Sequence, residues 1–235
     1  MFRFLKRRKP KEGAQASTQR LFDALRALDM RPKHIVDIGA NYGNWTRAAI
    51  TAFPEAKFSV FEPQKRLADK HTDLSQDKRV ALYYKGVGDF DGSATFTFLE
   101  RDDSCSFIYS ASEAEEQGYA QSEIEICKLD TIMHQSSFGM PDIVKIDAEG
   151  LDLQVLEGGP EAIANADVVL VEATVACTEY PNTTSIVFKK MDALGFRIFD
   201  VTDLNRTPEL GVLWLIELVF VRKGSSLDIA STVYR

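Results

Sequence analysis

His34 to Pro54 reads HIVDIGANYGNWTRAAITAFP. An apolar run, Ile35 to Ile38, meets a glycine-bearing turn, and a stretch with helical patterning follows until Pro54. That is the pattern of a buried strand, a tight turn and a helix. Gly39 and Gly43 let the backbone come close to a ligand, and a turn that opens a helix is expected to offer free N–H groups at its positive end. KFSVFEP, residues 57–63, is a second strand whose end carries Glu62, nineteen residues after Gly43. An acid there can accept hydrogen bonds from two ribose hydroxyls, the general logic of nucleoside sites at strand C-termini.

The glycine spacing, Gly39-x-Asn41-x-Gly43, departs from the dinucleotide pattern G-x-G-x-x-G. A pyrophosphate needs the second glycine for close approach, and Asn41 holds that place. A polar turn preceded by Asp37 better suits a cofactor carrying a cation and an amino group, as S-adenosylmethionine does.

Outward from this unit, strands and helices alternate, which predicts an α/β domain with a parallel sheet. Ser17 to Leu28 places Leu21, Phe22, Leu25 and Leu28 on one helical face. Leu67 to Leu74 reads as a helix and RVALYYKGVG, residues 79–88, holds a third strand. DIVKID is a strand, followed by a helix over about 151–157, a break at Gly158, Gly159 and Pro160, and a further helix to Asn165. VVLVEAT is a strand ending near Glu172, and Ile186 to Leu194 is a helix stopped by Gly195. FRIFDVTD and WLIELVFVRK read as an antiparallel pair. Residues 90–130 break the rhythm: two amphipathic strands, SATFTFLE and SEIEICKLD, flank a long polar loop. Such an insertion is a lid over a binding site or a solvated excursion. The organisation expected is a basic flexible segment at 1–16, one domain over 17–224, and a loose tail at 225–235.

Composition narrows the classes. The 235 residues are 45% hydrophobic and 27% charged, ordinary for a globular chain, and no apolar run approaches the roughly 20 residues that span a bilayer. Cys105, Cys127 and Cys177 lie far apart, so a reducing compartment is the default, and His34, His71 and His134 are too scattered for a histidine-rich metal site. Net charge is −7, yet the first eleven residues carry six Lys/Arg and no acid, so the remainder holds −13. An acidic body argues against a nucleic-acid partner. Residues 1–11, with Phe2, Phe4 and Leu5, are a candidate for weak membrane-surface contact, set against the plainer reading of a solvated terminus. No apolar core of a secretory signal follows those charges. A cytoplasmic protein, with the inner membrane face as the alternative address, is the expectation, and its partner is a small-molecule or glycan acceptor.

The second decisive segment is PDIVKIDAEGLDLQVLEGG, residues 141–159. Lys145 interrupts an apolar strand, and Asp147 and Glu149 follow at its C-terminal end. A lysine in a sheet interior is costly unless acids pair with it, and Asp147, Glu149 and Glu172 are the candidates. VDIGANYGNWT, FSVFEP, KGVGDFDGSATF, CKLDTI, KIDAEG followed by VLEGG, and VVLVEAT together resemble the FkbM-type S-adenosylmethionine-dependent methyltransferases, from about Ile35 to Arg222. The resemblance implies the class I methyltransferase (Rossmann-like) fold: a doubly wound, mostly parallel seven-stranded sheet with one reversed strand. It implies O-methylation of a hydroxyl on a glycan or secondary metabolite. Asp37, Gly39, Asn41 and Gly43 would then surround the methionine part of the cofactor, with Ala40 and Tyr42 in the same turn. Glu62, with Pro63, would hold the ribose; Val87 and Gly88, beside Asp89, would lie against the adenine; and Asp147 would face the methyl group. Asp152 stands where the family more often has Glu.

Methyl transfer to a hydroxyl needs in-line placement and a base. Asp147 or Glu149 comes first for that role and Glu172 third, with Lys145 orienting a carboxylate or stabilising developing oxyanion charge. His134 sits on the helix before Pro141, facing away. Three carboxylates raise a divalent metal, but the adjacent lysine disfavours a cation, so none is expected. The rival classes are an NAD-dependent oxidoreductase, which lacks here the Tyr-x-x-x-Lys couple of short-chain dehydrogenases, and a non-catalytic nucleoside-binding scaffold.

Overall fold

The structure, a computed structural model, describes residues 12–100, 105–177 and 180–231. The segment 1–11 read as a membrane tether lies outside them. Helix α1 (Glu12–Ala27) precedes the unit β1 (His34–Ile38), α2 (Asn44–Ala52), β2 (Lys57–Phe61). A 3-10 helix (Lys65–His71) runs into α3 (Thr72–Gln76), and β3 (Val80–Tyr83), β4 (Gly86–Gly88) and β5 (Gly92–Phe98) follow. The insertion contains α4 (Ala111–Gln117) and β6 (Ala120–Lys128). Then come α5 (Leu129–Gln135), β7 (Ile143–Ile146), α6 (Asp152–Gly158), α7 (Pro160–Asn165) and β8 (Val168–Thr174). The chain closes with α8 (Thr184–Ala193), β9 (Phe196–Arg206), β10 (Leu213–Arg222) and α9 (Ser226–Ser231).

The main sheet has seven strands in the order β3-β2-β1-β7-β8-β10-β9. Every pairing is parallel except those of β10, which runs antiparallel to both neighbours. This is the mostly parallel sheet with one reversed strand that the family resemblance implies. Strand β1 is central and buried throughout, which is why HIVDI reads as a near-continuous apolar run. His34 within it is a packing residue: its ring bonds Gly139 O at 2.7 Å and Ser59 Oγ at 3.0 Å, and burial lowers its pKa. Both faces are covered. Phe22, Leu25 and Ala49 pack on one side with Ile35, Phe58 and Leu170. Ile132, Val155, Ile163 and Val187 pack on the other with Val144, Val171 and Phe220.

Three regions differ from the sequence reading. The third strand is two: β3 edges the main sheet, and β4 leaves it to pair in parallel with β6 in a second sheet, β4-β6-β5. Glycine makes the departure feasible, since a Cβ on Gly86 would stand 2.5 Å from Ile126 Cδ1. The polar loop of the insertion contains helix α4, whose Ser110 and Glu113 form a reciprocal capping box and whose end is Gly118 at φ 69°. The C-terminal stretch, expected as a loose tail, is helical over 226–231. Leu227 is 1% exposed against Ala49 and Val221, which contributes roughly 1.5–3 kcal/mol, and Arg197 pairs with Asp228.

Candidate active site

The C-terminal ends of β1, β2 and β7 open into one cavity of about 770 Å³. A volume of that size accommodates a nucleoside-sized ligand together with a second molecule. On its first side stands Glu62, 2% exposed, held from both oxygens: Oε2 accepts from Asn41 N at 2.7 Å and Oε1 from Gln64 N at 2.8 Å. Burial raises its pKa, and those two N–H bonds oppose the rise. The Gln64 side chain adds a third hydrogen bond, and a carboxylate, with about four acceptor sites, has capacity beyond these three donors. Asn41 is fixed at φ 48° by three contacts: its N–H on Glu62, its Oδ1 on Tyr42 N at 2.8 Å, and its carbonyl accepting from His71 Nε2 at 2.5 Å. His71, buried in the helical segment after β2, is a supporting residue that sequence reasoning did not single out.

The glycine turn itself corrects one expectation. Its N–H groups are not free: Gly39 and Ala40 donate to Phe61 O, Asn41 to Glu62, Tyr42 to Asn41 and Gly43 to Ala40 O. The turn itself is therefore closed, while the helix α2 that follows it carries no side-chain cap at Gly43. Gly39, at φ 76°, is there for close approach, because a Cβ would lie 1.7 Å from Asp147 O. Of the turn, Gly39 and Asn41 line the cavity; Asp37, Ala40, Tyr42 and Gly43 lie behind it or beside it. Pro63 and Val87 also line it, together with Gly86, whereas the Gly88 carbonyl is turned against Gly158, whose missing Cβ would otherwise stand 1.9 Å away.

Asp37 has a different task. It is fully buried, accepts from Thr46 Oγ1 at 2.5 Å and faces Lys145 Nζ at 3.4 Å. Lys145 also meets Asp147 Oδ2 at 3.2 Å and Gly39 O at 3.3 Å. The ion pairs of Lys145 are thus with Asp37 and Asp147, in place of Glu149 and Glu172. Register explains this: Asp37 and Lys145 are direct partners across parallel β1 and β7, so their side chains share a face. Burial alone would lower the lysine pKa, yet Asp147, Asp37 and Glu217 carry it above the usual value, so Lys145 is a permanent cation. It lies beneath the cavity and does not line it, which leaves it the orientation of Asp147 and not contact with an oxyanion.

Asp147, Glu149 and Glu172 do converge on the cavity. Glu149 sits in the left-handed region at φ 50°, followed by Gly150 at φ 105°. Asn41, Glu149 and Asp203 are three of four non-glycine residues with positive φ among the described residues, and all three line the cavity. Such conformations cost about 1–3 kcal/mol and gather at functional sites. Glu172 is pushed well above the ordinary glutamate pKa, first by burial and then by Asp147, Glu149 and Asp152, with Lys145 opposing. Asp152, buried, rises to about 6 by burial. It shapes the 148–152 turn by accepting from Ala148 N at 3.0 Å. His134 is on the surface of α5, 3.2 Å from Glu161.

The insertion is a wall of the cavity and not a solvated excursion. Phe96, Phe107, Tyr109 and Tyr119 line it, and Ser106 Oγ donates to Glu149 O at 2.8 Å, clamping the second sheet onto the 148–150 turn. The opposite wall comes from residues the sequence reading did not select: Thr174 at the end of β8, Tyr180 and Asn182 after it, and Asp203, Asn205 and Trp214 on the β9–β10 hairpin. Among the described residues no group of three or more His, Cys, Asp and Glu is arranged to hold a metal ion, and no helix is long and apolar enough to cross a membrane.

Methyltransferases recur among the known proteins to which this chain is similar. Among solved structures, a methyltransferase FkbM from Methylobacillus flagellatus KT is similar at 14% identity and TM-score 0.49, covering 79% of this chain and 43% of that one. This chain therefore spans less than half the length of that relative. A precorrin-6y C5,15-methyltransferase from Geobacter metallireducens GS-15 shows 12% identity and TM-score 0.47, covering 89% and 86%. A 1,6-didemethyltoxoflavin-N1-methyltransferase from Burkholderia thailandensis, solved with 1,6-didemethyltoxoflavin and S-adenosylhomocysteine, shows 13% and 0.49, covering 90% and 79%. No curated protein matches the sequence. The family model of the methyltransferase FkbM domain matches residues 37–198, from the buried aspartate of the glycine turn to the start of β9. That span is well over half of the chain and holds Glu62, Lys145, Asp147 and Glu172, and the chain belongs to the FkbM methyltransferase family.

Proposed function

We propose that the cavity is the active site of an S-adenosylmethionine-dependent O-methyltransferase whose acceptor is a hydroxyl on a sugar, glycan or secondary metabolite. One observation carries this reading. Acids outnumber bases in the cavity wall: Glu62, Glu113, Asp147, Glu149, Glu172 and Asp203 line it against Lys85 and Arg206. An acid-lined cavity favours a cationic ligand and hydrogen-bond donors and disfavours a pyrophosphate. The closed N–H groups of the glycine turn count against the NAD-dependent alternative for the same reason.

The residues fit the cofactor. Glu62 keeps acceptor capacity for a ribose diol, and Gly86 and Val87 supply the flat apolar edge that an adenine needs. When bound, S-adenosylmethionine supplies an electrophilic methyl carbon. Asp147, pinned by Lys145, accepts a donor group without having to reorganise. Glu172 suits the acceptor's proton: burial and the neighbouring acids hold its carboxyl well above the ordinary glutamate range.

Calorimetric titration with S-adenosylhomocysteine, with NAD in parallel, tests the cofactor: micromolar binding of the first alone is expected, and no binding by folded protein removes the reading. Glu172→Gln is expected to lower turnover about 10²- to 10⁴-fold, followed as S-adenosylhomocysteine release over a panel of sugars and phenols. Its affinity for S-adenosylhomocysteine should stay within a factor of two or so of the parent. Unchanged turnover would return the base to Asp147 or Glu149.

A further inference from the structure

Beside Glu172 the cavity wall contains two buried oxygens with no partner, Thr174 Oγ1 and Asn182 Oδ1. The residues are 2% and 4% exposed, and each buried, unpaired polar atom is a cost that a folded chain ordinarily avoids. Their surroundings fix them. Thr174 N donates to Asn182 O at 3.0 Å, and Thr184 Oγ1 donates to Thr174 O at 2.7 Å. Asn182 Nδ2 donates to Asp152 Oδ2 at 3.1 Å and to the Glu172 carbonyl at 3.2 Å. Turning the amide over would set its oxygen against that carbonyl, which has no proton to give, so Oδ1 is held as an acceptor awaiting a donor. The hydroxyl of Thr174 is the one polar group of that residue left open.

We propose that Thr174 and Asn182 form a hydroxyl-reading pair that selects acceptors bearing a second hydroxyl next to the one methylated. The inference rests on the methyl-transfer reading and deepens it. Glu172 and Thr174 are two residues apart on one face of β8, so their side chains stand roughly 7 Å apart. A vicinal diol spans that gap when one hydroxyl is held at Glu172 and its neighbour at the Thr174–Asn182 pair. An isolated alcohol reaches one end and leaves the other oxygens unpaired, which is the strong form of discrimination against a missing hydroxyl. Tyr180 and Trp214 also line the cavity, and aromatic rings are suited to pack on the carbon side of a pyranose.

Thr174→Val tests this, because it exchanges only the unpartnered hydroxyl for a methyl group of the same shape. Full-length protein saturated with S-adenosylhomocysteine is titrated with methyl glycosides of glucose, galactose, mannose, rhamnose and fucose, and with cyclohexanol, by saturation-transfer NMR. At least one glycoside should bind the parent while cyclohexanol does not. Thr174→Val should weaken that glycoside at least fivefold, Thr174→Ser should restore it, and Thr174→Val should melt no lower than the parent. Equal glycoside binding by parent and Thr174→Val, or binding of no glycoside by a parent that does bind S-adenosylhomocysteine, overturns the inference and leaves methyl transfer standing. A parent that does not bind S-adenosylhomocysteine removes both.

Discussion

The two sides of the cavity are built differently. On the side of β1 and β2, every polar group of the turn is already answered: five successive N–H groups from Gly39 to Gly43 have acceptors, and both oxygens of Glu62 hold a backbone donor. On the side of β8 and the β9–β10 hairpin, Thr174 and Asn182 present unanswered oxygens, and Asp203 sits at φ 44° where the pairing of β9 with β10 shifts register. The backbone of the first side is held in place by its own hydrogen bonds, and is rigid for that reason. The second carries open valences and a bulge that re-aims side chains, so its ligand completes it. A preorganised half suits the cofactor, and an unfinished half suits selection among acceptors.

The contrast breaks most sharply at Gly39. A Cβ there would meet the Asp147 carbonyl at 1.7 Å, backbone against backbone, with φ already positive. Gly39→Ala is expected to cost more than about 4 kcal/mol, read from the urea midpoint, and to abolish S-adenosylhomocysteine binding. Gly118→Ala is the control: φ is 69°, nothing lies within 4 Å, and a cost of about 1 kcal/mol with normal binding is expected. Equal behaviour of the two variants would mean that β1 and β7 do not need their close approach.

Glu217, on β10, probes the buried base of the second side. Burial pushes its carboxyl up to about 7, against Lys145 and the Thr202 hydroxyl, which favour the ionised form. In the unfolded chain it titrates near 4.3. Between those values the fold holds a proton that the unfolded chain has lost. Its contribution is full below about 4.3 and disappears as pH rises through 7. Glu217→Gln should therefore stabilise the protein relative to the parent above pH 7, by on the order of 3 kcal/mol, with the difference vanishing near pH 4.5. Parallel stability curves for parent and variant from pH 5 to 8 would show that Glu217 is ionised in the fold.

Glu62 sharpens the comparison from the finished side. Glu62→Gln keeps the shape but turns an N–H₂ toward Asn41 N or Gln64 N, both donors. Loss of a charged acceptor costs about 1.5–3 kcal/mol, so S-adenosylhomocysteine affinity should fall about 10- to 150-fold by calorimetry while glycoside binding stays measurable. A fall in glycoside affinity with no change in cofactor affinity would reverse the assignment of the two sides.

These halves also differ in how far they can be read without coordinates. The cofactor side is one contiguous unit, residues 37–62, in which strand, turn, helix and acid follow in order, so a local pattern reports a local site. Even there, the pattern named Asp37 for the cofactor, although parallel register commits it to Lys145. The acceptor side is gathered from residues as far apart as Phe96, Tyr119, Thr174, Asn182, Asp203 and Trp214 by the reversed strand and by the insertion. No spacing rule links such segments. Some of it was legible in principle: Ser110-x-x-Glu113 with Gly118 is a helix signature, and Gly86 marks where a single strand must divide. Asn182 and Asp203 carry no such mark, because an asparagine after a strand and an aspartate within one look like ordinary loop and edge residues until topology brings them to the cavity.

The smallest expected effect closes the contest over the base. His134, the histidine nearest in sequence to the catalytic segment, lies on α5 with about half of its side chain exposed, paired at 3.2 Å with Glu161, itself mostly exposed. Exposed pairs of this kind contribute about 0–1 kcal/mol. The ring borders the surface of α7 and does not line the cavity that Glu172 enters. His134→Ala should thus shift the melting temperature by no more than a few degrees and leave the pH profile of turnover where it was. A histidine base would behave otherwise: its removal would cost orders of magnitude in turnover and erase the acid limb of the pH profile. If that limb disappears in His134→Ala and survives in Glu172→Gln, the proton leaves by a route on the α5 side, and the acid-lined centre of the cavity serves binding alone.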